Sequence, residues 1–196
     1  MYLCKHVLDN RDCGAPSAER RRKVRNVSDD ILSAGSNMSV VDITEPDGNF
    51  AASIMTTAAP DTVFDALTTP SAFSNWWVTA SGGGTTGDEL IIHFGDSPAI
   101  CRVDEAERPA HVSWTVLDCG MEPDWEGTEI IFDLCSAPDG GTRVDFRHQG
   151  LTPQLVCFEM CQSGWTQALG GLLRYVEAGH GKSITSDSAT SEGENG

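Results

Sequence analysis

The stretch "GTRVDFRHQGLTPQLVCFEMCQSGWTQALGGLLRYVEAG", residues 141–179, changes its repeat partway along, and that change decides the fold. Arg143, Asp145 and Arg147 first alternate with Val144, Phe146 and His148, the two-residue period of a strand with one apolar face. From Pro153 onward Leu155, Phe158, Gln162, Trp165, Leu169, Leu172 and Val176 recur at spacings of three or four, which is one stripe along a helix. A last strand therefore hands the chain to a long terminal helix over 153–179, ended by Gly179. Gly164, Gly170 and Gly171 each lower helix propensity by about 1 kcal/mol relative to Ala, so a kink or a close approach to the sheet is expected there.

Upstream the same two-residue signal recurs. "NFAASIMTT" (49–57), "ELIIHFG" (89–95), "AICRVDEAE" (99–107), "HVSWTVLDC" (111–119) and "TEIIFDLCS" (128–136) read as strands. Gly95–Pro98, Arg108–Pro109 and "PDGG" (138–141) separate them with turn chemistry, and such short connections imply antiparallel neighbours in a meander of about six strands. Two short helices follow the first strand. "PDTVFDALT" (60–68) starts at a proline and stripes Val63, Phe64 and Leu67, and "PSAFSNWW" (70–77) restarts after a second proline. "SGGGTTGD" (81–88) reads as loop; it has no lysine and so is no Walker phosphate loop. A twisted antiparallel sheet laid against one terminal helix is an α+β architecture, and a strongly curved sheet leaves a space beneath that helix.

The ends differ from this body. Residues 1–37 carry seven Lys/Arg against five acids and precede Met38, so they are expected to be a disordered arm or an extension from too early a start codon. A basic arm for nucleic acid is the competing reading, but it has no aromatic residue apart from Tyr2 to stack on bases. "SITSDSATSEGENG" (183–196) is too polar to offset chain entropy and reads as an acidic tail. Residues 48–180 are the expected domain.

A net charge of −16 argues against nucleic acid and anionic membranes as partners. No apolar run approaches the ~20 residues of a bilayer span, so a cytoplasmic protein is expected. The seven cysteines lack close CxxC pairs and read mostly as reduced, buried residues. Cys157 and Cys161 share a helical face where a metal could bridge them, but the sequence shows no second ligand pair, so neither a metal nor a cofactor is expected.

With "FDALTTPSAFSNWW" after the first strand, "GTRVDFRHQGL" on the last strand and "GWTQALGGLLRYVEAG" on the final helix, the chain resembles the START-like or SRPBCC superfamily over roughly residues 48–180. Within it the sequence is most similar to the branch related to the C-terminal domain of the activator of the ninety-kilodalton heat-shock ATPase. The resemblance implies a helix-grip fold with a cavity between sheet and helix, and relatives that bind lipids, sterols or polyketides or, in a minority, catalyse cyclisation or hydrolysis. Residues 1–37 are too short and polar to be the separate N-terminal domain of the eukaryotic co-chaperone, so chaperone activation is not expected.

Set against that cavity, Trp76, Trp114, Phe132, Phe146, His148, Phe158 and Trp165 are the candidate contacts for a small apolar ligand. Of Trp76 and Trp77 one is expected to pack inward and the other to cover an edge; Trp125 ("EPDWEG", 122–127) is a candidate for an exposed edge, and His93 falls on the outer face of its strand. Arg102, if inward, needs an acid such as Asp133 or Glu129. No GxSxG elbow or spaced His–Asp pair marks a nucleophile, so any catalytic role falls to His148 as a general base; a structurally bonded imidazole is the other reading. Three functions are thus open: a binder of a small apolar molecule, a cyclase- or hydrolase-type enzyme in the same cavity, and a chaperone-related interaction module, each as monomer or homodimer.

Overall fold

The computed structural model describes residues 41–42, 48–138 and 140–180; the expectations for 1–37 and 183–196 lie outside the described residues. The chain runs β1 (Val41–Asp42), β2 (Phe50–Thr56), α1 (Pro60–Thr68), α2 (Pro70–Phe73), β3 (Ala80–Gly82), β4 (Glu89–Ile92), β5 (Ala99–Glu107), β6 (His111–Cys119), β7 (Glu129–Ser136), β8 (Thr142–Gln149) and α3 (Phe158–His180). A 3-10 turn, Pro123–Trp125, sits between β6 and β7. All strands pair antiparallel in one curved sheet of order β1-β2-β8-β7-β6-β5-β4-β3, an α+β helix-grip arrangement.

Pairing puts the apolar halves of the strands on one face. Phe50, Ala52 and Ile54 of β2 lie opposite His148, Phe146 and Val144 of β8, which in turn oppose Ile130, Phe132 and Leu134 of β7. Every one of these residues is buried, while Arg143, Asp145 and Arg147 take the half-buried outer positions. Two register shifts, at Ile100/Cys101 and Val103/Glu105, break the β5–β6 ladder. Bulges of this kind bend a strand and raise its twist, which lets the sheet wrap the helix.

Several boundaries differ from the sequence reading, and β4 stops at Ile92 rather than Gly95. Ala80–Gly82 is a strand rather than the start of the glycine loop, because Ser81 and Gly82 pair with Ile91 and Leu90. The α2 helix stops at Phe73, and tight turns carry the chain through Trp76 and Trp77. The terminal helix begins at Phe158, since Leu155 and Phe158 donate to carbonyls only three residues back in the preceding turns. From there Cys161, Trp165, Ala168, Leu169, Leu172, Leu173 and Val176 face the core, while Phe158 and Gln162 are half-buried.

One polar pairing on the sheet carries a pH signature. His111 Nδ1 lies 2.7 Å from Asp133 Oδ1 on β7, and its Nε2 lies 3.4 Å from Glu105. The hydrogen bond to Asp133, with the charges of Glu105 and Glu107, holds the His111 pKa above its ordinary value despite partial burial. A raised folded pKa stabilises the protein at pH below the unfolded value near 6.5, and that contribution is lost as pH rises through the folded value. Asp133→Asn is therefore expected to destabilise more at about pH 5.5 than at about pH 8.5, by less than about 1 kcal/mol because the acid is open to solvent screening. Urea unfolding of both proteins at the two pH values measures it.

Candidate functional site

Strand alternation directs one large ring after another to the space beneath α3. Trp114, Phe132, Phe146 and Trp165 are each at most 1% exposed. Ring centroids are 5.3 Å apart for Trp114–Phe132, 5.1 Å for Phe132–Phe146 and 4.6 Å for Phe146–Trp165. Four residues expected to line a hollow thus touch one another in an unbroken chain from β6 to α3, so along that line the side chains themselves occupy the space.

His148 sits at the α3 end of this chain with no exposed surface. Trp165 Nε1 donates to its Nδ1 at 2.9 Å, and its Nε2 lies 2.8 Å from Thr128 Oγ1. The Thr128 hydroxyl has one proton, and it goes to the Trp125 carbonyl at 2.6 Å. His148 must therefore donate from Nε2, which fixes one neutral tautomer in a directed relay from Trp165 through His148 and Thr128 to Trp125. Burial pushes the His148 pKa down to about 3. A ring whose only lone pair already holds the Trp165 N–H has none to offer a substrate proton, so the general-base role has no geometric support at this position.

The remaining candidates divide. Trp76 is buried and donates from Nε1 to the Ala66 carbonyl at 3.1 Å, which pins the turn after α2 to α1; Phe73 lies between it and Trp114, at 4.8 Å and 5.8 Å. Phe158 is half-buried against the core at the start of α3. Trp77, the neighbour that sequence could not orient, is half-buried yet packs 4.7 Å from Trp165 and 5.4 Å from Phe94, so it connects the interior to the rim.

Trp125 is the largest correction among the candidates. It is 4% exposed, stacks on Trp165 at 5.9 Å with planes 9° apart, and donates from Nε1 to Cys161 Sγ at 3.3 Å. The acidic residues around it hid this: the 3-10 turn keeps Asp124 and Glu126 at the surface while it folds the indole beneath α3. Arg102 points outward and pairs with Asp104 at 2.6 Å, and Asp133 is engaged by His111 instead. His93 lies on the outer side as expected, 2.9 Å from Ser81 Oγ.

One polar atom in this interior is unsatisfied. Trp114 Nε1 is buried and has no hydrogen-bond partner among the described residues. An orphaned buried donor costs roughly 1–3 kcal/mol, so its retention asks for an acceptor. A surface cleft of about 490 Å³ lies between α1, α2 and the end of α3, lined by Asp65, Thr69, Tyr175 and Val176 among others. Cys101, Cys119, Cys157 and Cys161 are free and buried; desolvation pushes the Cys157 thiol up to about 12, so it is neutral and no nucleophile at ordinary pH.

The same architecture recurs in solved structures. The Aha1 dimer from Colwellia psychrerythraea is 28% identical over 67% of this chain and 97% of its own, with a TM-score of 0.60. CalU16 from Micromonospora echinospora is 20% identical over 74% of this chain and 77% of its own, at a TM-score of 0.56. PFC0360w, an HSP90 activator from Plasmodium falciparum, is 16% identical over 68% and 96%, at a TM-score of 0.55; at such identities the last two show the fold alone. Among curated proteins none matches the chain. The profile of the "Activator of Hsp90 ATPase homolog 1-like protein" family matches residues 57–177, from the end of β2 into the last turn of α3, and the chain belongs to that family.

Proposed function

We propose that this protein binds, in the cytoplasm, a small apolar molecule that carries a hydrogen-bond acceptor, such as the carbonyl of a lipid, polyketide or aromatic ketone. The observation that carries the reading is the orphaned Trp114 Nε1 in an otherwise apolar interior. The ligand's acceptor meets that donor, while Phe132, Phe146 and Trp165 supply flat apolar contact, with Trp76, His148 and Phe158 holding the walls. Because these rings touch one another, binding separates them, and access lies past the half-buried Trp77 and Phe94. The relay through His148 keeps Trp165 at one orientation while its neighbours move. Among the described residues no helix is long and apolar enough to cross a membrane.

The test pairs a flat aromatic ketone with the hydrocarbon that lacks its oxygen, each titrated against tryptophan fluorescence. Wild-type protein should bind both saturably and prefer the ketone. Trp114→Phe keeps an aromatic ring and removes the donor, so it should weaken the ketone about tenfold and leave the hydrocarbon unchanged. Absence of saturable binding by either probe, or equal affinities in both proteins, overturns the reading.

A further inference from the structure

Cys157 and Cys161 lacked a third ligand in the sequence, and the fold supplies one. Glu122, in the turn that follows β6, brings a carboxylate oxygen to the two sulfurs, and the three ligand atoms lie within 4.8 Å of one another. Both sulfurs are buried and Glu122 is half-buried. Three ligands of a tetrahedral zinc ion, with bonds of about 2.0–2.3 Å, sit roughly 3.5–4 Å apart, so the set closes with side-chain rotations of an ångström or less.

Each ligand is held by its backbone. Glu122 donates its N–H to the Cys119 carbonyl at 3.1 Å and accepts from Trp125 N at 3.0 Å, which locks the turn. Cys161 N donates to Cys157 O at 2.9 Å, so the thiols ride on one helical turn. A second observation points the same way. Trp125 Nε1 is aimed at Cys161 Sγ at 3.3 Å, as an outer-shell donor to a sulfur that takes up negative charge.

We infer that Cys157, Cys161 and Glu122 form a binding site for one soft divalent cation of the zinc type, with water in the fourth position. As each metal–sulfur bond forms, the thiol proton leaves to solvent, and no oxidant or reductant is involved. The ion ties the first turn of α3 to the β6–β7 connection, next to the Trp125–Trp165 stack.

The test uses the reduced, metal-stripped full chain titrated with cobalt(II) under inert gas and then with zinc. One equivalent of cobalt should raise sulfur-to-cobalt charge-transfer absorption, and zinc should bleach it. Cys157→Ser and Cys161→Ser should each weaken cobalt at least 100-fold, and Glu122→Gln about tenfold. X-ray absorption of zinc-loaded wild type, which needs no variant to fold, should show two sulfurs at about 2.3 Å with oxygen completing the shell. No charge-transfer band, a band unchanged in both serine variants, or a sulfur count other than two overturns the site.

Discussion

Replacing His148 by glutamine is expected to flatten the acid limb of the stability curve, while the wild-type protein loses on the order of 4 kcal/mol between pH 7 and pH 3 through this one residue. The folded pKa is depressed to about 3 against an ordinary value near 6.5. Between those values the unfolded chain binds a proton at His148 that the folded chain refuses, so stability falls as pH falls through 6.5 and goes on falling to about 3. Burial is the cause, and the bond received from Trp165 adds to it because a protonated ring would turn an N–H against the Trp165 N–H. Carboxylates also titrate in that range, so the readout is the difference between wild type and His148→Gln in urea unfolding across pH. Parallel curves would show that the ring is charged in the folded state and would break the relay. Alanine at the same position has a larger effect at neutral pH, about 3–5 kcal/mol, since it opens a cavity and orphans both Trp165 Nε1 and the Thr128 hydroxyl contact. On a total of about 5–15 kcal/mol for a domain of this size, that is a large share.

The same residue shows what a sequence can and cannot disclose here. Alternation along 141–149 put His148 on the inner face, and it lies there. The choice between pocket and anchor depended on Trp165 and Thr128, which are 17 and 20 positions away and are brought together only by pairing β7 with β8 and laying α3 across both. Regular elements were legible because their signals are local: strand bounds read from period two match β5 and β6 residue for residue. Trp125 was not, because it stands in a segment without a period, where three acids advertise surface and the turn geometry decides otherwise. Glu122 escaped for a related reason. A carboxylate in so acidic a chain carries no signal until its distance from two sulfurs is known. Family membership likewise follows from the pattern of elements, whereas the ligand depends on atoms such as Trp114 Nε1, whose missing partner is a property of three-dimensional surroundings.

The three glycines of α3 supply the second large expected effect, and they separate cleanly. A Cβ on Gly171 would stand 1.9 Å from the Trp76 carbonyl oxygen and 3.0 Å from its carbon, both backbone atoms of the turn after α2. A flexible side chain could move aside; a backbone carbonyl fixed by the Trp76 indole bond to Ala66 and by the buried rings around it cannot. Helix propensity favours alanine by about 1 kcal/mol at every one of these positions, so the sign of each substitution reports which force wins. At Gly171 the overlap wins: Gly171→Ala should cost about 3 kcal/mol or more by prising α3 from the α2 turn. At Gly164 a Cβ meets open space and at Gly170 only the far end of Arg174 at 3.6 Å, so alanine there should stabilise by roughly 0.5–1 kcal/mol. In thermal unfolding this places Gly171→Ala about 6–12 °C below wild type and Gly164→Ala a few degrees above it. The close approach expected from the glycines is thus made by α3 to the turn at Trp76 and not to the sheet, and it sets how deeply Trp165 reaches toward Phe146. If Gly171→Ala proved as stable as Gly164→Ala, the helix would have room to shift, and the packing of Trp165 against Phe146 and His148 would lose the constraint that fixes it.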